Sequence, residues 1–305
     1  MFHVSSSMYS QIDSNKRKTI FLMAGFIAVV ILIGWIFSQL TDLGVSGVFL
    51  AAIISIVTAL VGYFGGDRLA LATAGAKGPI AKNDNPYLYR LVENLTIGAG
   101  LPLPKIYVIP EPAINAFATG RNPQHASIAV TAGAIEKLEN EELEGVIAHE
   151  LSHIKNYDIL LMTVVIVLVG LIALLSDWFI RIQFWGGGRK NDSRSGGQIQ
   201  VILLVVGLVL LILSPIIGKI IQLAVSRKRE FLADAAGSLL TRYPEGLAKA
   251  LEKIAAENMP LKKANNATAH LYLASPFGRT KHLMSKLFAT HPPIEERIAA
   301  LRKMA

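Results

Sequence analysis

Apolar positions in this chain gather into long blocks instead of recurring at one helical or strand period. Ile20 to Phe37 is a run without a charged residue, and Leu43 to Phe64 is another. Two shorter runs follow, Ile159 to Leu175 and Val201 to Ile217. A helix that crosses a bilayer needs roughly 20 mostly apolar residues. The first two runs meet that length, and flanking residues extend the last two. Trp35, Trp178 and Trp185 stand near the ends of runs, where amphipathic rings favour the membrane interface. The pattern predicts four transmembrane helices in two hairpins.

The first run follows Lys16, Arg17 and Lys18, as a signal peptide would. It is too long for one, and a second span follows at once instead of a small-residue cleavage site. The same three cations, with none in the Thr41–Asp42 turn, put the N-terminus in the cytoplasm. The topology then places the connector bearing Arg181, Arg189, Lys190 and Arg194 outside, against the positive-inside trend. The expected organisation is a cytoplasmic tail over 1–18, a first hairpin over 19–65 and a second over 158–226. Residues 66–157 and 227–305 together form one cytoplasmic domain.

Between the hairpins the periodicity changes. Lys105 to Ile109 is β-branched and aromatic and bounded by Pro104 and Pro110, which reads as a strand. Ile114 to Ala118 and Ser127 to Thr131 read likewise, with a polar turn at Gly120 to Gln124, so a small antiparallel sheet is expected. Asn140 is placed as a helix N-cap, with Glu141 and Glu142 favouring the helix dipole. Nothing between Val146 and Val169 breaks that helix, so it is expected to run straight into the third span, and the fourth span to run on to about Leu240. Later helices are expected from Pro244 (Glu245 to Asn258) and after Pro292 and Pro293 (Ile294 to Met304).

Composition narrows the class. The 305 residues are 52% hydrophobic and 17% charged, with no cysteine and a net charge of +8; mean hydropathy is +0.46. Disorder is excluded, since it needs low hydropathy and high charge, and so is a disulfide scaffold. The positive balance would suit nucleic acid, but no recognition motif accompanies it, and lipid-facing basic residues account for it better.

The strongest chemical signal is His149-Glu150-Leu151-Ser152-His153. Positions i and i+4 share a helix face, so both imidazoles reach one ion. Glu150 stands beside them, placed to take a proton from a metal-activated water. A catalytic zinc takes three protein ligands. Asn156 and Ile159 stand where a Gly-x-x-His continuation would need Gly and His, so the third ligand must come from elsewhere. Arg227 to Asp234 offers Glu230, with Asp234 one turn later on the same face. Glu230 is read as the ligand, and Asp234 as the acceptor for the second nitrogen of a ligand histidine, His149 being favoured. The helices from His153 and into Glu230 flank the second hairpin. If they continue into its spans, helix rise sets the metal roughly 10–15 Å above the hydrocarbon edge.

These residues resemble the HtpX-type membrane zinc metalloproteases, relatives of the CaaX prenyl proteases. The resemblance covers nearly the whole chain, including Asn115 to Gly120 and His291-Pro292-Pro293. It implies a mainly α membrane protein with four transmembrane helices and a gluzincin-like zinc metalloprotease domain containing a small β-sheet. It implies one Zn2+ per subunit and a multi-pass protein of the cell inner membrane with its catalytic domain facing the cytoplasm. It also implies endopeptidase action on damaged, misfolded or unassembled membrane proteins, in quality control and stress response, with no nucleic-acid partner. His291 and Arg297 are its candidates for the oxyanion donor. Asn115, Ala116, Phe117 and Ala118 correspond to its substrate-binding strand, whose edge would capture an extended peptide through main-chain hydrogen bonds. His125, His270 and His282 show no partner pattern and are read as surface or loop histidines. Competing readings are a prenyl-protein protease and a non-enzymatic membrane scaffold. Four spans cannot wall the chamber the first needs, and an intact Glu150 weighs against the second.

Overall fold

The computed structural model describes residues 3–40, 44–170, 227–263, 268–278 and 292–304. The fourth apolar run, the end of the third, His282 and His291 lie outside them.

Two long helices open the chain, α1 (His3–Leu40) and α2 (Val45–Ala74). Both are long and apolar enough to cross a membrane. Phe21, Phe49, Ile53 and Phe64 are exposed on them, as lipid-facing side chains should be. Gly34 lets α1 approach α2: a Cβ there would run into Ala51. Each helix extends past its apolar run, because helical hydrogen bonding continues until something stops it. For α2 the stop is Gly75, left-handed at φ 68°, with its N–H bonded to the carbonyl of Ala72.

The domain follows. Helix α3 (Pro86–Ala99) starts on Asn85, whose side chain accepts from the N–H of Leu88. Strands β1 (Lys105–Ile109), β2 (Ala116–Gly120) and β3 (Ala126–Thr131) form a sheet in the order β1-β3-β2. The expected antiparallel sheet is mixed: β2 and β3 are antiparallel, but β1 runs parallel to β3. The link 110–115 carries the chain past β3 to its far side, a choice of neighbour that strand patterning does not encode. The outer edge of β1 is bridged by Lys77 to Val108.

Short α4 (Ala132–Lys137) leads to α5 (Asn140–Lys155). Its N-cap is Glu139, not Asn140, and the side chain of Glu142 accepts from the Glu139 N–H at 2.8 Å. The helix ends at Asn156 and Tyr157, the latter at φ 60°. The chain then turns 82° into α6, described over Asp158–Gly170. The expected straight helix is thus broken, and helix rise does not set the height of the metal site. Helices α7 (Arg227–Thr241), α8 (Pro244–Glu257) and α9 (Ile294–Arg302) complete the described α-helices.

Helix α5 is the centre of the domain, packed against β2, α3, α7 and α8. Its apolar residues Leu143, Ile147 and Leu151 join Leu88, Ile128 and Leu247 in one buried cluster. Each such side chain contributes roughly 1.5–3 kcal/mol on burial. Close approach of α8 requires Gly145, since a Cβ there would meet the backbone of Leu247 at 2.7 Å.

Candidate metal centre

His149 and His153 lie one turn apart on α5, facing α7. Their Nε2 atoms are 3.1 Å apart. The carboxylate of Glu230 approaches both, at 3.9 Å from His149 and 3.7 Å from His153. All three are buried, and their ligand atoms lie within 4.8 Å of one another. Glu230, Asp234 and Gly237 occupy one face of α7 at spacings of four and three. Gly237 lets that face close on α5, because a Cβ there would sit 3.0 Å from the backbone nitrogen of His149.

Each histidine presents its other nitrogen to a carboxylate. His149 Nδ1 is 2.9 Å from Asp234 Oδ1, and His153 Nδ1 is 3.0 Å from Asp158 Oδ2. Both Nε2 atoms and the Glu230 carboxylate are then grouped closely enough to serve one ion. Two nitrogen ligands and one oxygen match the donor set of a catalytic zinc, which leaves a position open for water or substrate. The residues present therefore fit the group.

The carboxylates are themselves held. Arg297, fully buried, donates from Nε and Nη2 to Asp234 at 2.9 and 2.7 Å. Burial alone would raise the Asp234 carboxyl, but Arg297 and His149 outweigh it and hold it down to about 2. Asp158 accepts from Nδ2 of Asn15 at 2.7 Å and from Nη1 of Arg229 at 3.2 Å. Asn15 lies on α1, so the first long helix touches the group that orients His153. Burial would lower the His153 imidazole, but Asp158 and Glu230 together push it up to about 9. Glu150 is 1% exposed, and burial pushes its carboxyl up to about 7.

The other predicted residues fall as follows. Ala116, Phe117 and Ala118 lie on β2 and are buried, as is Asn115 just before it. The carboxamide of Asn115 bonds the chain's own Ala274 carbonyl at 3.1 Å. Arg297 reaches Asp234, and His291 lies outside the described residues. His270 was read as a surface or loop histidine, but it is fully buried, with Nε2 3.1 Å from the Met162 carbonyl oxygen. Sequence reasoning missed Asn15, Asp158, Arg229 and Gly237. The one available signal was Asp158, an acid at the mouth of an apolar run.

The fold and the paired histidines with an intervening glutamate define a membrane-associated metalloprotease class. Residues 82–305 match peptidase family M48, and the chain belongs to that family. It is 45% identical over 302 residues to a protease HtpX homolog of Thermoanaerobacter pseudethanolicus, covering 98% of both chains. It is 44% identical to the homolog of Caldanaerobacter subterraneus subsp. tengcongensis, covering 98% of both. Against that of Dictyoglomus turgidum it is 43% identical, covering 98% of this chain and 95% of the other. Among solved structures, Ste24p of S. mikatae shares the fold, with a TM-score of 0.54 and 22% identity. That match covers 96% of this chain and 66% of the other. The chain is thus an HtpX-type metalloprotease.

Proposed function

We propose that this protein is a zinc-dependent endopeptidase of the cell inner membrane. Its substrates are damaged, misfolded or unassembled membrane proteins, cut on the cytoplasmic side in quality control and the stress response. The observation that carries the reading is the convergence of His149, His153 and Glu230 beside Glu150, on helices packed against a strand edge. The cytoplasmic orientation rests on Lys16, Arg17 and Lys18 at the start of the first span. Four spans remain the expected topology, with one Zn2+ per subunit.

His149, His153 and Glu230 would hold the zinc, which would supply Lewis acidity for activating water and polarising a peptide carbonyl. The chain's residues do the rest. Glu150 takes the proton as a carboxylate and returns it to the leaving amine. Its raised affinity for protons suits that exchange near neutral pH. Asp234 and Asp158 keep the ligand histidines in one tautomer and orientation. Arg297 holds Asp234, and its remaining nitrogen serves peptide binding. Strand β2, with Asn115, offers main-chain groups to an extended peptide. Arg297 and His291 are retained as candidates for the oxyanion donor.

The test is cleavage of casein by the purified full chain. Chelator should abolish it and zinc restore it. Cleavage indifferent to chelator would overturn the metal-dependent reading. Faster cutting of a farnesylated peptide than of unmodified casein would favour a prenyl-protein protease instead.

A further inference from the structure

The outward edge of β2 already holds another segment of the chain, at Leu273 and Ala274. Successive residues of a strand turn their N–H and C=O groups to opposite sides. Ala116 turns its carbonyl outward, away from β3. Its carbonyl accepts the N–H of Leu273 at 3.0 Å. The carboxamide of Asn115 takes both main-chain groups of Ala274: Nδ2 donates to its carbonyl at 3.1 Å, and Oδ1 accepts from its N–H at 3.4 Å. Arg297 Nη1 donates to the carbonyl of Leu273 at 2.8 Å. All four main-chain polar groups of Leu273 and Ala274 are therefore bound by the strand edge and by the arginine behind Asp234. None of these bonds depends on which side chains the occupant carries, which is how a protein grips an arbitrary extended peptide.

The direction is also informative. Leu273 lies against Ala116 and Ala274 against Asn115, while the ring of Tyr272 packs edge-on to Phe117 at 5.2 Å. The segment thus runs antiparallel to β2, and its path back from Leu273 heads toward Ala118 and Glu150. It does not cross the metal centre in extended form, because Ala269–Leu271 is a tight helical turn. Leu273 is 1% exposed, seated in the main apolar cluster.

We propose that Tyr272–Ala274 is an internal occupant of the peptide groove, filling the subsites for residues that follow the scissile bond. Substrates must displace it to be cut. The inference rests on the endopeptidase reading above. It specifies the substrate: an extended, unfolded chain with an apolar residue in the place of Leu273 and a small one in the place of Ala274. Folded loops cannot compete for a groove that is already paired. An unfolded chain that supplies the same four main-chain bonds can.

The experiment uses the full-length, zinc-loaded protein and a peptide hydroxamate in which Leu-Ala follows the zinc-binding group. Inhibition of casein cleavage reads its binding. In the Tyr272→Ala/Leu273→Ala variant, which leaves β2 and the metal centre intact, the occupant loses its anchoring side chains. The hydroxamate should then bind at least about tenfold more tightly, with KM for an unfolded peptide lowered similarly. Unchanged or weaker binding by a folded variant would overturn the proposal. Hydrogen exchange on the unmodified protein tests it without any substitution. Hydroxamate binding should deprotect the amides of Leu273 and Ala274, whereas amides that stay protected would make the segment a fixed wall. Failure of the hydroxamate to inhibit, with chelator-sensitive cleavage intact, would sink the subsite assignment alone. Loss of chelator sensitivity would instead remove the endopeptidase reading.

Discussion

Asp158 Oδ2 lies 3.0 Å from Nδ1 of His153, across the 82° turn that separates α5 from α6. A carboxylate at the first position of an apolar helix thereby orients a residue of the metal centre. Its other oxygen is bonded to Asn15 of α1 and to Arg229, the neighbour of Glu230. Asp158→Asn should weaken zinc binding about 10–100-fold, the usual effect of losing such a partner, and Asp234→Ala should do the same through His149. Competition against a chromogenic chelator measures both. Wild-type affinity in either variant would leave that carboxylate with a structural part only.

Glu150→Gln should abolish proteolysis while zinc remains bound, because Glu150 donates no atom to the cluster of His149, His153 and Glu230. Replacing any of those three with Ala should remove both metal and activity. Metal content by atomic emission, set beside casein turnover, separates the two outcomes. Full zinc occupancy in Glu230→Ala would point to a different third ligand.

The pH dependence follows from Glu150. Burial pushes its carboxyl up to about 7, and only the carboxylate can accept a proton. Below that pH the base is occupied, so kcat/KM should fall as pH drops. Zinc beside it favours the charged form and draws the limb down. The acid limb is therefore expected at or below about 7. A limb near 9 would belong to another group.

Gly237→Ala tests the contact between α7 and α5. The added carbon would sit 3.0–3.2 Å from the backbone of Ala148 and His149, forcing the helices apart. Overpacking of this kind costs typically about 1–3 kcal/mol, and here it also moves Glu230 away from the histidines. A lower Tm with weakened zinc affinity is expected. Thermal unfolding with and without zinc reads both, and a variant that kept wild-type metal affinity would show that the helices can part without disturbing the ligands.

What the chain's order of residues determined by itself was whatever depends on near neighbours. Uninterrupted apolar runs select α1 and α2, because the bilayer sets a minimum length. The spacing of His149 and His153, and of Glu230 and Asp234, follows from the pitch of a helix, so each pair shares a face wherever that helix packs. Tertiary structure decided the rest. The turn at Asn156–Tyr157 needs neither Pro nor Gly, and it is held by Asn15, which donates to the Asn156 carbonyl from 141 residues away. The bond from Asn15 to Asp158 spans 143 residues, and that from Asn115 to Ala274 spans 159. The parallel pairing of β1 with β3 likewise depends on which side of the sheet the 110–115 link takes. Partners this far apart leave no periodicity or local composition to read. They meet because the folded core brings α1, α6 and α7 to one end of the metal centre, and the Tyr272–Ala274 segment to its strand edge.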